Sequence, residues 1–235
     1  MQDLASFIEQ GASEYLPHIS VDSVIFSFYA GAFQVLLLRM RDQVLYALPG
    51  GYVGKKEDLD EAAKRILRER TGLEGIGLEQ CGTFGDRNRT ERKKGQDLIG
   101  LDLPKDSWIL QRFISVGYYA LVSYAAARPS PGPLDVECKW CPVDQLPDMI
   151  FDHREIVARA LDTLRSLLDV KIPDAQLLSE TFTMNELQQL YESILGRPLL
   201  RSNFQRKMLG LDILVRLEKK FSGGAHKAPY LYRFK

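Results

Sequence analysis

The sequence contains no apolar stretch of about 18 residues, the length that a membrane-spanning helix needs. Its first residues lack the basic segment followed by an apolar segment that is typical of a secretory signal peptide. Cysteine is scarce, and the three present, Cys81, Cys138 and Cys141, are an odd number that suits the reducing cytosol. These absences predict a cytoplasmic protein that makes no contact with a membrane.

The composition is that of a globular protein and not of a disordered one. Apolar residues make up 45% of the chain and charged residues 26%, which allows it to bury a hydrophobic core. The length of 235 residues corresponds to one large domain or two modest ones.

Charge is distributed unevenly along the chain, although its net value is zero. Residues 197–235 contain ten basic and two acidic residues, a net charge of +8, which leaves −8 for the rest of the chain. A basic segment attached to an acidic body indicates a polyanionic partner, with nucleic acid as the first candidate. The alternative is an ordinary solvated surface, but such surfaces seldom separate the two signs so strongly.

Residues 1–172 read as one mixed domain. Helices are predicted over 58–70, which ends before Gly72, and over about 152–168. The predicted strands form two runs within 20–39 around Ala30-Gly31, followed by runs over 45–48, 78–84, 114–123 and 136–140. Because strands and helices do not alternate regularly, we predict an α+β or α/β sandwich.

Residues 173–235 change character and read as a second, smaller domain. Thr183 and Glu186 form a capping box ahead of a helix that ends at Gly196. Ser202 is predicted to cap a second, basic helix over 203–209. Two strands, over 213–217 and 230–234, follow with a basic loop between them. Helix, turn, basic helix and basic hairpin is the pattern of a winged helix-turn-helix.

The segment 51–73, GYVGKKEDLDEAAKRILRERTGL, follows Leu-Pro-Gly and resembles the Nudix box. That motif is Gly, five residues, Glu, seven residues, then Arg-Glu-aliphatic-any-Glu-Glu-any-Gly-aliphatic. The chain matches it at seven positions: Gly51, Glu57, Arg65, Leu67, Glu69, Gly72 and Leu73. The resemblance implies the Nudix fold, a mixed sheet between helices, for residues 1–172.

Two departures from the Nudix box bear on catalysis. Active Nudix hydrolases hold divalent cations with three glutamates of this helix, and here those positions are Ile66, Glu69 and Arg70. Isoleucine offers no ligand, and arginine brings a fixed positive charge to the place of the cation. By analogy with the family, Glu57 arranges the loop and does not restore the site. We therefore expect no catalytic residue, no metal and no cofactor.

Arg70 has two interpretations. Its forked guanidinium suits bidentate contact with a phosphate, so it could replace the metal in binding a ligand without hydrolysis. It could equally form only an internal salt bridge, with Glu69 or Glu57 as the partner.

Over almost its whole length the chain resembles the Nudix-related transcriptional regulators. The resemblance rests on the segments 48–53, 83–89, 114–121, 182–199, 203–207 and 231–234. It implies a homodimer that binds a double-stranded operator through paired winged helices, with a small effector in the Nudix pocket. The effector would be ADP-ribose or a related sugar, and many members control genes of NAD synthesis or pentose use. The segment 90–111 departs from the family because it is longer than the usual short loop.

Candidate effector-binding residues are those that would border the pocket. Arginines suit a diphosphate, an aspartate suits a ribose, and glycines allow a close approach. The set is Arg39, Gly50, Gly51, Arg70, Phe84, Asp86, Arg87 and Arg89. For Arg39 an ordinary surface charge is an equal alternative.

Candidate DNA-binding residues lie on the second helix of the small domain and on its wing. Arginine and glutamine read base edges, whereas lysine mainly binds phosphate. The set is Arg201, Asn203, Gln205, Arg206, Lys207, Lys219, Lys220, His226 and Lys227. Two other features are interpreted structurally: Cys138 and Cys141 as strand residues without a second ligand pair, and His153 as the start of a helix.

Three functions follow from these patterns. The first is an effector-responsive DNA-binding regulator with a degenerate Nudix site. The second is a working Nudix pyrophosphatase, acting on ADP-ribose or a related nucleoside diphosphate, with an accessory winged helix. The third is a protein-interaction module whose basic segment binds an acidic partner.

Overall fold

The computed structural model describes residues 4–41, 43–89, 106–173, 175–220 and 228–235. The larger part contains the helices α1 (Leu4–Glu14), α2 (Leu59–Thr71), α3 (His153–Ser166) and α4 (Leu168–Lys171), and a 3₁₀ turn at Trp108–Leu110. Its strands are β1 (Tyr15–Tyr29), β2 (Ala32–Met40), β3 (Gly50–Gly54), β4 (Glu79–Phe84), β5 (Ile114–Leu121) and β6 (Asp135–Pro142).

Strand β1 lies at the centre of a six-stranded mixed sheet. The order is β4-β5-β1-β2-β6, with β3 paired to β1 as well. The β1–β5 pair is parallel, and the other pairs are antiparallel. Alternate side chains of β1 face opposite sides of the sheet. Val21 packs with Ala62 and Ile66 of α2, whereas Val24 belongs to the core that includes Ile156 of α3. The predicted sandwich of Nudix type is therefore confirmed.

Helix α2 has the ends that its sequence predicts. The Asp58 side chain accepts from the Glu61 N–H at 2.9 Å, and Glu61 accepts from the Asp58 N–H at 3.0 Å. Gly72 closes the helix with a φ of 69°, a conformation in which glycine carries no steric penalty.

The smaller part is a winged helix. It contains β7 (Phe182–Thr183), α5 (Met184–Leu195), α6 (Arg201–Gly210), β8 (Leu214–Lys219) and β9 (Tyr230–Phe234). Its strands form a sheet in the order β7-β9-β8. The capping box of Thr183 and Glu186 and the left-handed Gly196 are present, as predicted. Its buried side chains Leu187, Leu190 and Phe204 belong to the same core as Leu164 and Leu168 of the larger part.

Two predictions of local structure are wrong, and the sequence analysis does not predict helix α1. The third strand is 50–54 and not 45–48, where Tyr46 and Ala47 form only isolated bridges, because the glycine pair continues into a strand that pairs with β1. Ser202 is not a cap, since α6 begins at Arg201 and Leu200 occupies the N-cap position without a side-chain hydrogen bond.

Cys138 and Cys141 lie in β6 and have free thiols. Within the described ranges, no helix has the length and the apolar character to cross a membrane. Most of the segment 90–111, which the sequence marks as unusual for the family, lies outside the described residues.

Candidate functional site

The two glutamates that match the Nudix box, Glu57 and Glu69, are bound by one arginine. Arg65 donates to Glu57 Oε1 at 2.5 Å and Oε2 at 2.9 Å, and to Glu69 at 2.9 Å. It also donates to the carbonyl of Tyr52 at 2.9 Å. Glu57 accepts a further hydrogen bond from the Gly54 N–H, so it arranges the loop. The hydrogen bonds from Arg65 lower the pKa of Glu57, which is therefore ionised at neutral pH.

The two departures from the Nudix box are both built into the structure. Ile66 is 2% exposed and lies against Gly51, so it is part of the core. Arg70 makes a bidentate pair with Asp135, with both N–O distances 2.7 Å, and donates to the carbonyl of Gly50 at 3.0 Å. The side chain of Asp135 is fully buried, and that of Arg70 is 17% exposed. Arg70 thus ties α2 to the glycine loop, which comprises residues 48–51, and to the start of β6.

These residues do not fit the divalent cation that Nudix hydrolases hold at this place. Glu69 is engaged with Arg65, and the guanidinium of Arg70 lies where a second carboxylate would be needed. The expectation that Arg70 pairs with Glu69 or Glu57 is wrong, because Arg65 takes both. In the described part of the chain, no three His, Cys, Asp or Glu side chains are grouped closely enough to hold a metal ion.

A buried polar cluster lies behind the glycine loop. Arg89 pairs with Asp152 at 2.7 and 2.9 Å and lies 3.6 Å from Asp22. Ser115 donates to Asp22 at 2.6 Å. All four side chains are almost fully buried, so each carboxylate depends on these partners for its charge. The cluster joins β1, β5, the residues after β4 and the start of α3.

His153 completes the cluster and supports the glycine loop. The Leu48 N–H donates to His153 Nδ1 at 2.9 Å, so the proton of the neutral ring is on Nε2. Nε2 lies 3.5 Å from Asp22 Oδ1. Asp22 in turn lies directly under Gly50, where an added Cβ would overlap its carboxylate. Burial lowers the pKa of His153, more strongly than the charge of Asp22 raises it.

The buried histidine predicts a pH dependence of stability. Its pKa in the folded chain lies below the ordinary 6.5 that applies after unfolding. The unfolded chain therefore binds more protons, and the stabilisation present above about pH 6.5 is lost as the pH falls below it. We expect the free energy of unfolding, measured in urea between pH 7.5 and 5, to fall less steeply in His153→Asn. Exposed His18→Asn is the matched control, and equal slopes in His153→Asn and wild type would contradict the assignment.

The structure separates the predicted effector residues into three groups. Gly50, Gly51 and Arg70 are neighbours, and Asp86 and Arg87 are exposed on the turn after β4. Arg39, Phe84 and Arg89 already have intramolecular partners, namely Glu137 at 2.9 Å for Arg39, Gly117 for Phe84 and the buried cluster for Arg89.

Sequence reasoning missed the acidic partners Asp22, Asp135 and Asp152. For Asp22 a signal existed, because it lies inside a strand whose neighbours are apolar or small.

An aromatic cluster lies beside the Nudix box and was also missed. Trp108 stands edge-on to Tyr52 at 4.8 Å between ring centroids and stacks on Tyr15 at 5.9 Å. Its indole N–H donates to the carbonyl of Ile8 in α1 at 2.7 Å. Phe113 closes the cluster against Tyr52 at 4.9 Å. These rings lie next to Arg65, which donates to the carbonyl of Tyr52.

Helix α6 presents a polar outer face. Arg201, Asn203, Gln205 and Arg206 are exposed, whereas Phe204 and Met208 on the other side are buried in the core. Arg206 lies within 3.3 Å of the side-chain oxygen of Asn203. Arginine, asparagine and glutamine are residue types that read base edges in a DNA major groove.

The predicted lysines differ in their surroundings. Lys207 bonds Asp169 of α4 at 2.8 Å, and Lys220 lies 3.8 Å from Glu186. Lys219 lies over the ring of Tyr230. His226 and Lys227 lie outside the described residues.

Comparisons with known proteins agree with both parts of the fold. The model of the NUDIX domain matches residues 17–160, and that of the NrtR DNA-binding winged helix domain matches residues 175–234. A protein of Acinetobacter baylyi, the ADPR responsive transcriptional repressor NtrR, is 29% identical over 225 residues, which cover 93% of this chain and 82% of that protein.

Two crystal structures of Shewanella oneidensis NrtR are similar over nearly the whole chain. The first has a TM-score of 0.65 and 28% identity, and the match covers 93% of this chain and 94% of that one. The second, a complex with a 27mer DNA, has a TM-score of 0.64 and 27% identity, with 92% and 93% covered.

Proposed function

Because the chain belongs to the NUDIX domain family, we propose that it is a DNA-binding transcriptional regulator whose Nudix domain binds an effector without hydrolysing it. The proposal rests on one observation: two metal-binding glutamates of the Nudix box are replaced, in a chain that also contains a winged helix. Ile66 is buried in the core there, and Arg70 is bound to Asp135. Metal-assisted hydrolysis needs carboxylates that hold the cation. A pocket that lacks these carboxylates can still bind the effector.

The similar proteins support both partners. The Acinetobacter baylyi protein is an ADPR-responsive repressor, and the Shewanella oneidensis protein was crystallised with DNA. We propose ADP-ribose or a related sugar compound as the effector of this chain and double-stranded DNA as its target. We also propose that it acts as a homodimer, with the boundary between the two domains at residue 173.

The effector is proposed to lie at the glycine loop. Gly50 and Gly51 lie beside Arg70, and the exposed Asp86 and Arg87 can reach a ribose or a phosphate. Arg89 is assigned a supporting role, because its guanidinium is already bound within the buried cluster.

DNA is proposed to contact the outer face of α6. Arg201, Asn203, Gln205 and Arg206 can reach base edges and phosphates without losing a partner in the core. Lys207 would have to leave Asp169 before it could contact phosphate.

The proposal predicts salt-dependent binding that an effector changes. A labelled duplex from the region upstream of the chain's own gene is titrated in a fluorescence anisotropy assay, with and without ADP-ribose. We expect the logarithm of the affinity to fall linearly with the logarithm of salt concentration, since phosphate contacts release counterions.

Arg206→Ala should weaken binding by about one to two orders of magnitude, the value of one good base contact.

The control for charge is Arg128→Ala, which removes an exposed arginine of the larger domain. It should leave the affinity unchanged. No binding of wild type at any salt concentration, together with magnesium-dependent turnover of ADP-ribose, would contradict the proposal and favour a pyrophosphatase.

A further inference from the structure

One face of the winged-helix sheet is only partly covered by the helices that pack on it. Tyr230, Tyr232 and Phe234 alternate along β9 and share that face. Tyr232 is 4% exposed and belongs to the core that includes Phe204 of α6. Tyr230, at the other end of the strand, is 40% exposed. The same face is therefore core at one end and surface at the other.

Two cations of β8 lie on the exposed end of this face. Arg216 is paired with Tyr232 and Lys219 with Tyr230 across the ladder, and residues paired across two strands point to the same side. The guanidinium of Arg216 lies 4.6 Å from the centroid of the Tyr230 ring, and the ammonium of Lys219 lies 5.4 Å from it. Both distances are within the range of cation–π attraction.

Three lysines of the winged helix have a carboxylate partner, whereas Arg216 has none in the described part of the chain. Lys207, Lys220 and Lys235 lie within 4 Å of Asp169, Glu186 and Asp212 respectively. Arg216 is exposed and, among the residues that the structure describes, has no acidic group at that distance. Its five N–H donors remain available, and the aromatic ring holds the long side chain in place.

We infer that Arg216 joins Lys219 in the contact of the wing with the sugar–phosphate backbone, and that Tyr230 orders both side chains for this second DNA contact. Arg216 and Lys219 supply the charge, and Tyr230 is a positioning residue that orders both side chains before DNA arrives. Ordering in advance reduces the entropy that binding costs. The inference rests on the proposed function and adds Arg216 and Tyr230, which sequence reasoning passed over, to the residues of the interface.

The chain offers a matched control on the opposite side of the same sheet. Arg233 is exposed and lies between Tyr232 and Phe234, so it points away from the face that carries α6. Arg233→Ala and Arg216→Ala change the net charge by the same amount. Any difference between them therefore reports position and not overall charge.

The experiment measures affinity for the upstream duplex over a salt series, for wild type and four variants of the full chain. Arg216→Ala should make the slope of log affinity against log salt shallower by about 0.9, the value of one phosphate contact. Tyr230→Leu should weaken binding about two- to five-fold, the value of an exposed cation–π pair. Tyr230→Phe keeps the ring and should bind like wild type, as should Arg233→Ala.

The outcomes separate this inference from the proposed function. Equal slopes for Arg216→Ala and Arg233→Ala, with wild type binding normally, would overturn the second contact alone. A shallower slope for Arg216→Ala with no effect of Tyr230→Leu would overturn the positioning role of the ring. Failure of wild type to bind any duplex would overturn both the proposed function and this contact. Thermal unfolding of each variant checks that all are folded.

Discussion

Replacing Arg89 with methionine is expected to lower the free energy of unfolding by about 3–5 kcal/mol, a large part of the total stability of a domain. Methionine fills a similar volume but leaves Asp22 and Asp152 buried without a positive partner. Arg89 is 3% exposed and makes the bidentate pair with Asp152, so water cannot take its place. Urea unfolding at pH 7.5 measures the loss.

Arg87→Met is the matched control for this substitution. Arg87 lies two residues away on the same turn but is exposed, and its replacement should change stability by less than about 0.5 kcal/mol. Equal stability of the two variants would show that the buried cluster contributes nothing. The same variants test whether Arg89 only supports the glycine loop or also contacts the effector. The assay is run at a temperature at which Arg89→Met is folded. If Arg89 only supports the loop, ADP-ribose should still change DNA binding, but more weakly than in wild type.

The features that sequence predicted well are those fixed within a few residues. The predicted helix 58–70 agrees with α2 to within one residue at each end. Its apolar stripe and its C-terminal Gly72 are both visible within the segment itself. Thr183, Glu186 and Gly196 bounded α5 for the same reason. Local capping bonds reach only three or four residues, so the sequence itself contains both partners.

The features that sequence could not predict are pairs of residues far apart in the chain. Arg70 and its partner Asp135 are separated by 65 positions, and Arg89 and Asp152 by 63. Periodicity indicates which face of an element is buried, but it does not indicate which charges meet inside the core. For that reason the sequence offers only Glu69 or Glu57 as the partner in an internal salt bridge of Arg70, and Arg65 in fact binds both glutamates.

Asp135→Asn is expected to lower the free energy of unfolding by about 3 kcal/mol, the lower end of the cost of breaking a buried ion pair. The amide keeps the shape of the side chain but leaves the guanidinium of Arg70 without a negative partner. The lower end applies because Arg70 retains 17% exposure, through which water can reach it. Asp144→Asn, an exposed aspartate just after β6, is the control and should be close to neutral.

The double variant Arg70→Met with Asp135→Asn decides between the two interpretations of Arg70. Methionine removes the unpaired charge, so the double variant should be more stable than Asp135→Asn alone, with a coupling energy of about 0.5–3 kcal/mol. If Arg70 is an internal cross-link, this variant should keep the affinity of wild type for ADP-ribose in calorimetry. A folded double variant that no longer binds ADP-ribose would instead mean that Arg70 leaves Asp135 and holds the ligand phosphate. In that case the arginine would replace the metal of the Nudix box in function as well as in place.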